Sequence, residues 1–253
     1  MFDSTEAYDQ HVGRYGPTLS RAHIAAAGIS AGDRVLDVGC GPGPLTEVVA
    51  GVVGADRVTA VDPSQPFVEV CRGRVPGADV RVGTAEQLPD FRAGFDVVMS
   101  QLVLNFMTDA VAGVRAMREV AREGGTVTSC VWDYAEGMTM LRAFWDTALE
   151  LDPDAPDEGQ TMRYCSTEEL HELWERCGLE EVETAELVAE ASYESFEDYW
   201  RPFPTGLAPS GAYCASLDPD RREALRTGCF RRLGEPTGAF RLTARAWFVR
   251  GRV

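Results

Sequence analysis

From residue 34 onward, the chain alternates short apolar runs with segments of helical periodicity. Residues 34–38 read RVLDV, an apolar run of strand length that ends at a cluster of glycines. Leucine and valine then recur at spacings of three and four between Leu45 and Val52, which predicts one apolar helix face. Continuous apolar strands that alternate with helices predict a parallel sheet covered on both faces. Further strands are predicted at residues 57–62, 79–83, 95–100 and 126–132.

The second half of the chain is less regular. Apolar residues from Met138 to Leu149 predict a helix face, and Ser166 with Glu169 forms a capping-box pattern ahead of another helix. A glycine pair at residues 124–125 predicts the end of the helix that contains Val111 to Val120. Residues 240–248 alternate between apolar and mostly polar positions, which predicts a half-buried strand of the kind found at an antiparallel edge.

Composition and charge narrow the classes of partner. The 253 residues include 40 acidic and 24 basic side chains, for a net charge of −16. Strong net negative charge repels polyanions, so we expect no nucleic-acid partner and no binding to acidic membranes. No run approaches the about 18 apolar residues of a membrane span. The acidic start of the chain lacks the pattern of a secretory leader, which predicts a cytoplasmic protein.

Cysteine and histidine spacing argues against a metal site. The seven cysteines include no CxxC pair, and the three histidines form no ligand cluster with them. We therefore expect reduced, mostly buried thiols and no bound metal.

The loop after the first strand carries the clearest chemical signal. Residues 35–46 read VLDVGCGPGPLT, in which closely spaced glycines follow a strand and precede a helix, so that a ligand can approach the backbone. Asp62 ends the second strand, where nucleotide-binding α/β proteins place a carboxylate on ribose hydroxyls. The glycine spacing is GxGxG, whereas dinucleotide-binding proteins have GxGxxG. Asp37, two residues before Gly39, would repel a pyrophosphate but suits a ligand with ammonium and sulfonium groups, which favours S-adenosylmethionine over a dinucleotide.

The segment from Tyr8 to Trp132 resembles the class I S-adenosylmethionine-dependent methyltransferases. Within that family it looks most like the small-molecule branch, which includes the quinone-biosynthesis enzymes and the type 11 methyltransferases. The resemblance is carried by the strings DVGCGPG, AVDPS, GTAEQLP, FDVVMSQLVLNFM and REGGTVTSCVWD, which occur in the family's order. It implies S-adenosylmethionine as the cofactor.

The same resemblance implies a role for each motif. The first motif would hold the methionine part of the cofactor, the second its ribose, the third its adenine and the fourth the region of the reactive methyl group, while an N-terminal segment forms a lid. Where the family usually has Asp-Ala or Asn-Ala, this chain has Thr84-Ala85, which leaves the Ala85 amide as the adenine contact. The implied cofactor-binding residues are Arg14, Tyr15, Asp37, Gly39, Cys40, Gly41, Gly43, Asp62, Pro63, Thr84, Ala85, Glu86, Ser100 and Gln101.

The family fold is α/β: a Rossmann-like, doubly wound, mostly parallel seven-stranded sheet with an antiparallel C-terminal strand and a small helical cap. We therefore expect residues 1–253 to form a single methyltransferase domain. Its expected parts are lid helices at 1–30, a cofactor-binding core at 31–133, cap insertions at 134–165 and 194–238, and a terminal strand at 239–253.

Candidates for catalysis and substrate binding lie near the ends of the motifs. Asp133 follows the fifth strand, where it could act as a general base or cap a turn, and His11 could be a base near the lid or a solvated histidine. The aromatic string YWRPF could line a substrate pocket or pack the cap onto the sheet. The substrate-pocket candidates are Asn105, Trp132, Tyr199, Trp200 and Phe203.

The sequence therefore predicts methyl transfer by in-line displacement to a small, aromatic or quinone-like metabolite, as in natural-product biosynthesis, by a monomer or homodimer. Such a reaction needs alignment and desolvation more than it needs a base. One alternative is a protein that binds the cofactor without methylating, as a cyclisation catalyst or a partner-binding module. Others are a macromolecule methyltransferase, although SQLV stands where amino-adenine enzymes carry Asn/Asp-Pro-Pro-aromatic, and a dinucleotide oxidoreductase.

Overall fold

A seven-stranded sheet is the centre of the computed structural model, which describes residues 12–91 and 94–253. The strand order is β3-β2-β1-β4-β5-β7-β6. Paired strands among β1 to β5 are parallel, whereas β7 runs antiparallel to β5. The predicted mostly parallel α/β sheet with an antiparallel C-terminal strand is thus confirmed. The strands are β1 (Val35–Val38), β2 (Val58–Asp62), β3 (Asp79–Val82), β4 (Phe95–Gln101), β5 (Ala121–Trp132), β6 (Glu180–Tyr193) and β7 (Phe240–Arg252).

Helices connect the strands, and their caps follow the sequence signals. In the predicted capping box, the Glu169 N–H donates to Ser166 Oγ at 3.2 Å. Within the described ranges, no helix has the length and apolar character needed to cross a membrane. The helices are α1 (Gly16–Ala27), α2 (Pro44–Val53), α3 (Gln65–Arg74), α4 (Ala110–Val120), α5 (Thr139–Leu151), α6 (Thr167–Arg176), α7 (Phe196–Trp200), α8 (Ala208–Ser216) and α9 (Pro219–Arg232), with short 3-10 turns at Val12–Tyr15, Ala55–Arg57, Leu104–Phe106, Glu158–Gln160 and Phe203–Thr205.

The chain divides into two compact units. The core unit comprises residues 16–132, 163–187 and 246–253, and it contains the parallel strands. The described part of the second unit comprises residues 12–15, 133–162 and 188–245. The insertions expected to form a cap, 134–165 and 194–238, fall in the second unit apart from residues 163–165.

Both faces of the parallel strands are buried under apolar helix faces. Successive strand residues point to opposite sides of a sheet. In β1, Val35 therefore packs with Ile24 of α1 and Leu45 of α2. Its neighbour Leu36 belongs to the cluster on the other face, together with Val114 of α4. This two-sided burial explains why the strands read as continuous apolar runs.

The prediction that a glycine pair ends α4 was wrong. Helix α4 stops at Val120, and β5 begins at the next residue, so Gly124 and Gly125 lie inside a strand. The Gly124 N–H donates to the Val253 carbonyl oxygen at 2.9 Å, and the Val253 N–H donates to that of Gly125 at 3.0 Å. A Cβ on Gly125 would lie 2.8 Å from the carbonyl oxygen of Arg122. Close backbone approach at Gly125 and a left-handed φ of 70° at Gly124, rather than helix termination, account for these glycines.

Strand β6 forms one edge of the sheet, and its first half is acidic. Glu181, Glu183 and Glu186 are all exposed. Two of them pair with arginines of β7: Arg252 with Glu181 at 3.4 Å, and Arg250 with Glu183 at 2.7 Å. The edge strand therefore presents a row of carboxylates.

Candidate functional site

The glycine loop joins β1 to α2 and is fixed to β2 by backbone hydrogen bonds. The N–H groups of Gly39 and Cys40 both donate to the Val61 carbonyl oxygen, at 2.8 and 3.0 Å. Gly43 lies in the left-handed region, with φ of 92°, and caps helix α2, which begins with Pro44. Proline suits the first turn of a helix because its missing N–H would have had no partner there. The loop thus has one defined backbone path.

Two loop glycines are required by close packing, and a third borders open space. A Cβ on Gly39 would lie 2.5 Å from Val103 Cγ2, and one on Gly43 would lie 2.7 Å from Cys71 Sγ. A Cβ on Gly41 would meet nothing within 4 Å. The middle of the loop therefore leaves room for a ligand to reach the backbone.

Asp37 is a buried carboxylate whose two oxygens differ in their hydrogen bonding. Its Oδ2 accepts a hydrogen bond from Thr46 Oγ1 at 2.7 Å, whereas its Oδ1 is buried with no hydrogen-bond partner in the part of the chain that the structure describes. Burial raises the pKa of Asp37 to about 7, the Thr46 hydroxyl opposes that rise, and the charge of Asp62 adds to it. A buried unpaired acceptor is costly, so a ligand that supplies a donor here is strongly favoured.

Asp62 connects the end of β2 to the glycine loop. Its Oδ2 accepts from the Gly41 N–H and its Oδ1 from the Ser64 N–H, both at 2.8 Å. Burial raises the pKa of Asp62, and the two backbone donors lower it. Because a carboxylate offers about four acceptor positions, this residue keeps capacity for two ligand hydroxyls. Pro63 follows Asp62 in the chain and is exposed.

The segment after β3 is tied to its surroundings by side-chain hydrogen bonds. Thr84 Oγ1 accepts from the Gln87 N–H at 3.2 Å, so this hydroxyl holds a local turn. Glu86 Oε1 accepts from the N–H groups of Thr108 and Asp109, at 2.9 and 3.3 Å, and thereby fixes the approach to α4. Ala85 between them is buried.

The end of β4 carries two polar side chains with different roles. The hydroxyl of Ser100 is fully buried and donates to Ser129 Oγ on β5 at 2.9 Å, so its hydrogen is already used within the sheet. Gln101 Nε2 donates to Ser20 Oγ at 2.9 Å, while Gln101 Oε1 is buried without a partner at hydrogen-bonding geometry among the described residues. Leu102, which follows, has a left-handed φ of 62°, a strained conformation that is common at functional sites.

The structure therefore gathers the implied cofactor residues of the four motifs in the core unit, at the carboxyl ends of its parallel strands. Two substrate-pocket candidates also lie at the carboxyl ends of these strands: Asn105 is in the turn after β4, and Trp132 is the last residue of β5. Their role in a substrate pocket stays a prediction.

Arg14 and Tyr15 belong to the second unit and are bound within it. Arg14 forms an ion pair with Asp198 at 3.1 Å and lies 4.3 Å above the ring of Tyr193. The Tyr15 hydroxyl is 3.1 Å from that of Tyr193, and burial raises the pKa of Tyr15 to about 12. These contacts fix both side chains in their own unit, and their role in a lid stays a prediction.

Asp133 has the contacts of a turn residue. Its Oδ2 accepts from Arg245 Nη2 at 2.6 Å, and its Oδ1 accepts from the Glu136 N–H at 3.1 Å. A Cβ on Gly137 would lie 2.7 Å from Asp133 Oδ2, so the turn needs glycine there. Asp133 therefore caps a turn, which is one of the two roles considered for it, and its role as a base stays a prediction. His11 lies outside the described residues.

The aromatic residues of the string YWRPF, at the end of α7 and in the turn that follows, belong to a buried cluster. Phe203 stacks on Phe144 of α5 with ring centres 4.5 Å apart, and the Tyr199 hydroxyl donates to the Met140 carbonyl oxygen at 3.1 Å. Trp200 is also buried and stacks on Phe144. These contacts pack the string within the second unit, and its role in a substrate pocket stays a prediction.

Sequence reasoning missed Ser20 and His23. Both are fully buried on α1, one turn apart, and both contact polar groups of the sheet. The available signal was the presence of two polar residues on a helix face that is otherwise buried and apolar. No cluster of three or more potential metal ligands occurs within residues 12–91 and 94–253.

Comparison with known proteins finds a family model that is similar to part of the chain. Residues 35–125 match a family model described as a methyltransferase domain. Over 98 residues the chain is 40% identical to a ubiquinone biosynthesis O-methyltransferase of Methylocella silvestris, a match that covers 37% of this chain and 38% of that protein. The chain thus spans about two fifths of the length of the curated relatives it matches first.

Solved structures share the fold over most of the chain. A protein of Anabaena variabilis assigned as a methyltransferase of an antibiotic biosynthesis pathway superposes with a TM-score of 0.60 at 18% identity, covering 94% of this chain and 100% of that one. The (4+2)-cyclase SpnF superposes with a TM-score of 0.57 at 17% identity, covering 93% of this chain and 81% of that one. At these identities the likeness shows the fold alone. The chain therefore contains a segment, residues 35–125, that is similar to methyltransferase domains, within a fold that these solved structures share.

Proposed function

We propose that the protein binds S-adenosylmethionine and directs its methyl group to a small metabolite with an aromatic or quinone-like ring. One observation carries the binding half of the proposal. Asp37 Oδ1 and Gln101 Oε1, on the neighbouring strands β1 and β4, are buried acceptors without partners among the described residues. A ligand with a cationic N–H donor would satisfy them, and an ammonium group carries three donors and no acceptor.

The residues present fit this cofactor. Asp37 and Gln101 would receive its ammonium end, the backbone of Gly39 to Gly43 would border its methionine part, and Asp62 would accept its ribose hydroxyls. The Ala85 amide would face the adenine. When bound, the cofactor supplies a methyl group activated by a sulfonium.

The chain's own contribution is binding, orientation and exclusion of water. Both oxygens of Asp133 are occupied by Arg245 and a backbone N–H, so we propose that catalysis rests on alignment rather than on a strong base.

The substrate class is supported by two facts. The first relatives that match the chain are named for O-methylation in ubiquinone biosynthesis. A net charge of −16 disfavours a nucleic-acid substrate. A second candidate function, cofactor binding without methyl transfer, is favoured by the likeness in fold to a (4+2)-cyclase.

Methyl-labelled S-adenosylmethionine tests these functions directly. The purified protein is supplied with the labelled cofactor and with fractionated cell extract or a panel of phenols and catechols. Label in an organic-soluble small molecule would support the proposal. Label in precipitated RNA or protein would contradict it. Consumption of a small molecule with the cofactor recovered unchanged would favour the second function.

Asp62→Ala should weaken binding of S-adenosylhomocysteine by about thirtyfold, since it removes a charged acceptor for two hydroxyls and releases the Gly41 N–H. Isothermal calorimetry measures the change. Asp79→Ala on the neighbouring strand β3 removes the same charge from a half-exposed site and should leave the affinity unchanged. Unaltered affinity in Asp62→Ala would refute the ribose assignment.

A further inference from the structure

One end of the Gln101 amide is held by a hydrogen bond. Its Nε2 donates to Ser20 Oγ, which fixes the orientation of the amide and leaves Oε1 without a partner at hydrogen-bonding geometry among the described residues. Asp37 and Gln101 point to the same sheet face, because β1 and β4 pair in parallel with Asp37 opposite Met99, two residues before Gln101. That face also carries Val35 and Met99, which pack with residues of α1 and α2. Helix α1 therefore supplies the group that orients Gln101.

Helix α1 is itself anchored by His23. Thr128 Oγ1 donates its single hydrogen to the Val249 carbonyl oxygen at 2.9 Å, so it can only accept from His23 Nε2, which lies 3.2 Å away. His23 is thus the neutral Nε2–H tautomer, and its Nδ1 accepts from the Cys130 thiol at 3.4 Å. The ring also meets Phe248 edge-on, with centres 5.7 Å apart.

These contacts fix the rotation and height of α1 relative to β5 and β7. Ser20 lies one helical turn before His23 and on the same face, since residues three apart on a helix are neighbours. Both side chains are fully buried. The His23 anchor therefore determines where the Ser20 hydroxyl meets the end of β4.

We propose that Ser20, held by the His23 anchor, is a positioning residue that turns the Gln101 amide oxygen toward the ammonium group of the bound cofactor. Without Ser20, the amide could rotate and present its NH2 group, which repels an ammonium. This inference rests on the proposed function, because it requires a cofactor with that group.

Two ligands separate positioning from general structure. S-adenosylhomocysteine carries the ammonium, whereas 5′-methylthioadenosine keeps the adenosine and sulfur but lacks the amino-acid end. Ser20→Ala should weaken binding of the first about tenfold and leave binding of the second unchanged. Ser210→Ala removes another fully buried serine, from α8 of the second unit, and should affect neither ligand.

Variants of Gln101 complete the test and do not depend on the folding of Ser20→Ala. Gln101→Leu removes the acceptor and should match the loss in Ser20→Ala, and adding Ser20→Ala to it should cause no further loss. Gln101→Glu keeps an acceptor for both the Ser20 hydroxyl and the ammonium, so it should bind S-adenosylhomocysteine at least as tightly as the parent protein.

The outcomes are distinguishable. Equal losses for the two ligands, additive losses in the double variant, or weakened binding in Gln101→Glu would overturn the role of Ser20 while leaving the proposed function intact. Failure of the parent protein to bind either ligand would overturn both.

Discussion

Replacing Asp37 by asparagine is expected to stabilise the ligand-free protein at pH 8 by about 4 kcal/mol, and to weaken binding of S-adenosylhomocysteine by at least about a hundredfold. The folded-state pKa of Asp37, about 7, lies above its ordinary value of 3.8 because burial disfavours the charged form. Between pH 3.8 and pH 7, Asp37 is therefore mostly protonated in the folded state and mostly ionised in the unfolded state. Stability is accordingly lost as the pH rises from 3.8 to 7, and the neutral amide avoids that loss.

Denaturant unfolding at pH 8 and at pH 5 measures this effect, and the gain from Asp37→Asn should be much smaller at pH 5. Asp96→Asn is the matched control, because backbone and arginine partners (Arg34 N–H and Arg122) lower the pKa of that carboxyl. It should be destabilising at pH 8. If Asp37→Asn also destabilised the protein at pH 8, the energetic cost of burying the charged Asp37 carboxylate would be refuted.

The second large effect comes from His23. Burial lowers the pKa of His23 to about 4 from 6.5, with the nearby Gln101 amide opposing the shift. The unfolded state binds the extra proton between those values, so about 3 kcal/mol of stability should be lost as the pH falls from 6.5 to 4. This slope is opposite in sign to that of Asp37 over the same range. The two should largely offset each other in the parent protein.

The His23 effect is therefore best measured in the Asp37→Asn background, where unfolding free energies from pH 7 to pH 4 should fall steeply. Adding His23→Gln should flatten that curve. If the unfolding free energy of Asp37→Asn alone did not change with pH over this range, the pKa of His23 would not be lowered by folding.

Local sequence signals predicted the positions of the glycine loop and of its neighbouring carboxylates. The glycines, Asp37 and Asp62 follow directly on strands, and β-strand order brings such ends together without knowledge of any side-chain contact. Contacts across long separations were not predictable in this way. Ser20 meets Gln101 from 81 residues away, and no residue type at position 20 signals that partner. For the glycine pair in β5, the sequence pattern could not distinguish a helix stop from close approach of another strand.

The acidic edge of β6 has a consequence for self-association. An unpaired edge strand is a template onto which another chain can add, and charged side chains are a common protection against such addition. At neutral pH, the carboxylates of Glu181, Glu183 and Glu186 would be brought against the same carboxylates of a second copy in any edge-to-edge pairing. Loss of these charges should thus convert the edge from a barrier between chains into a seed for ordered aggregation.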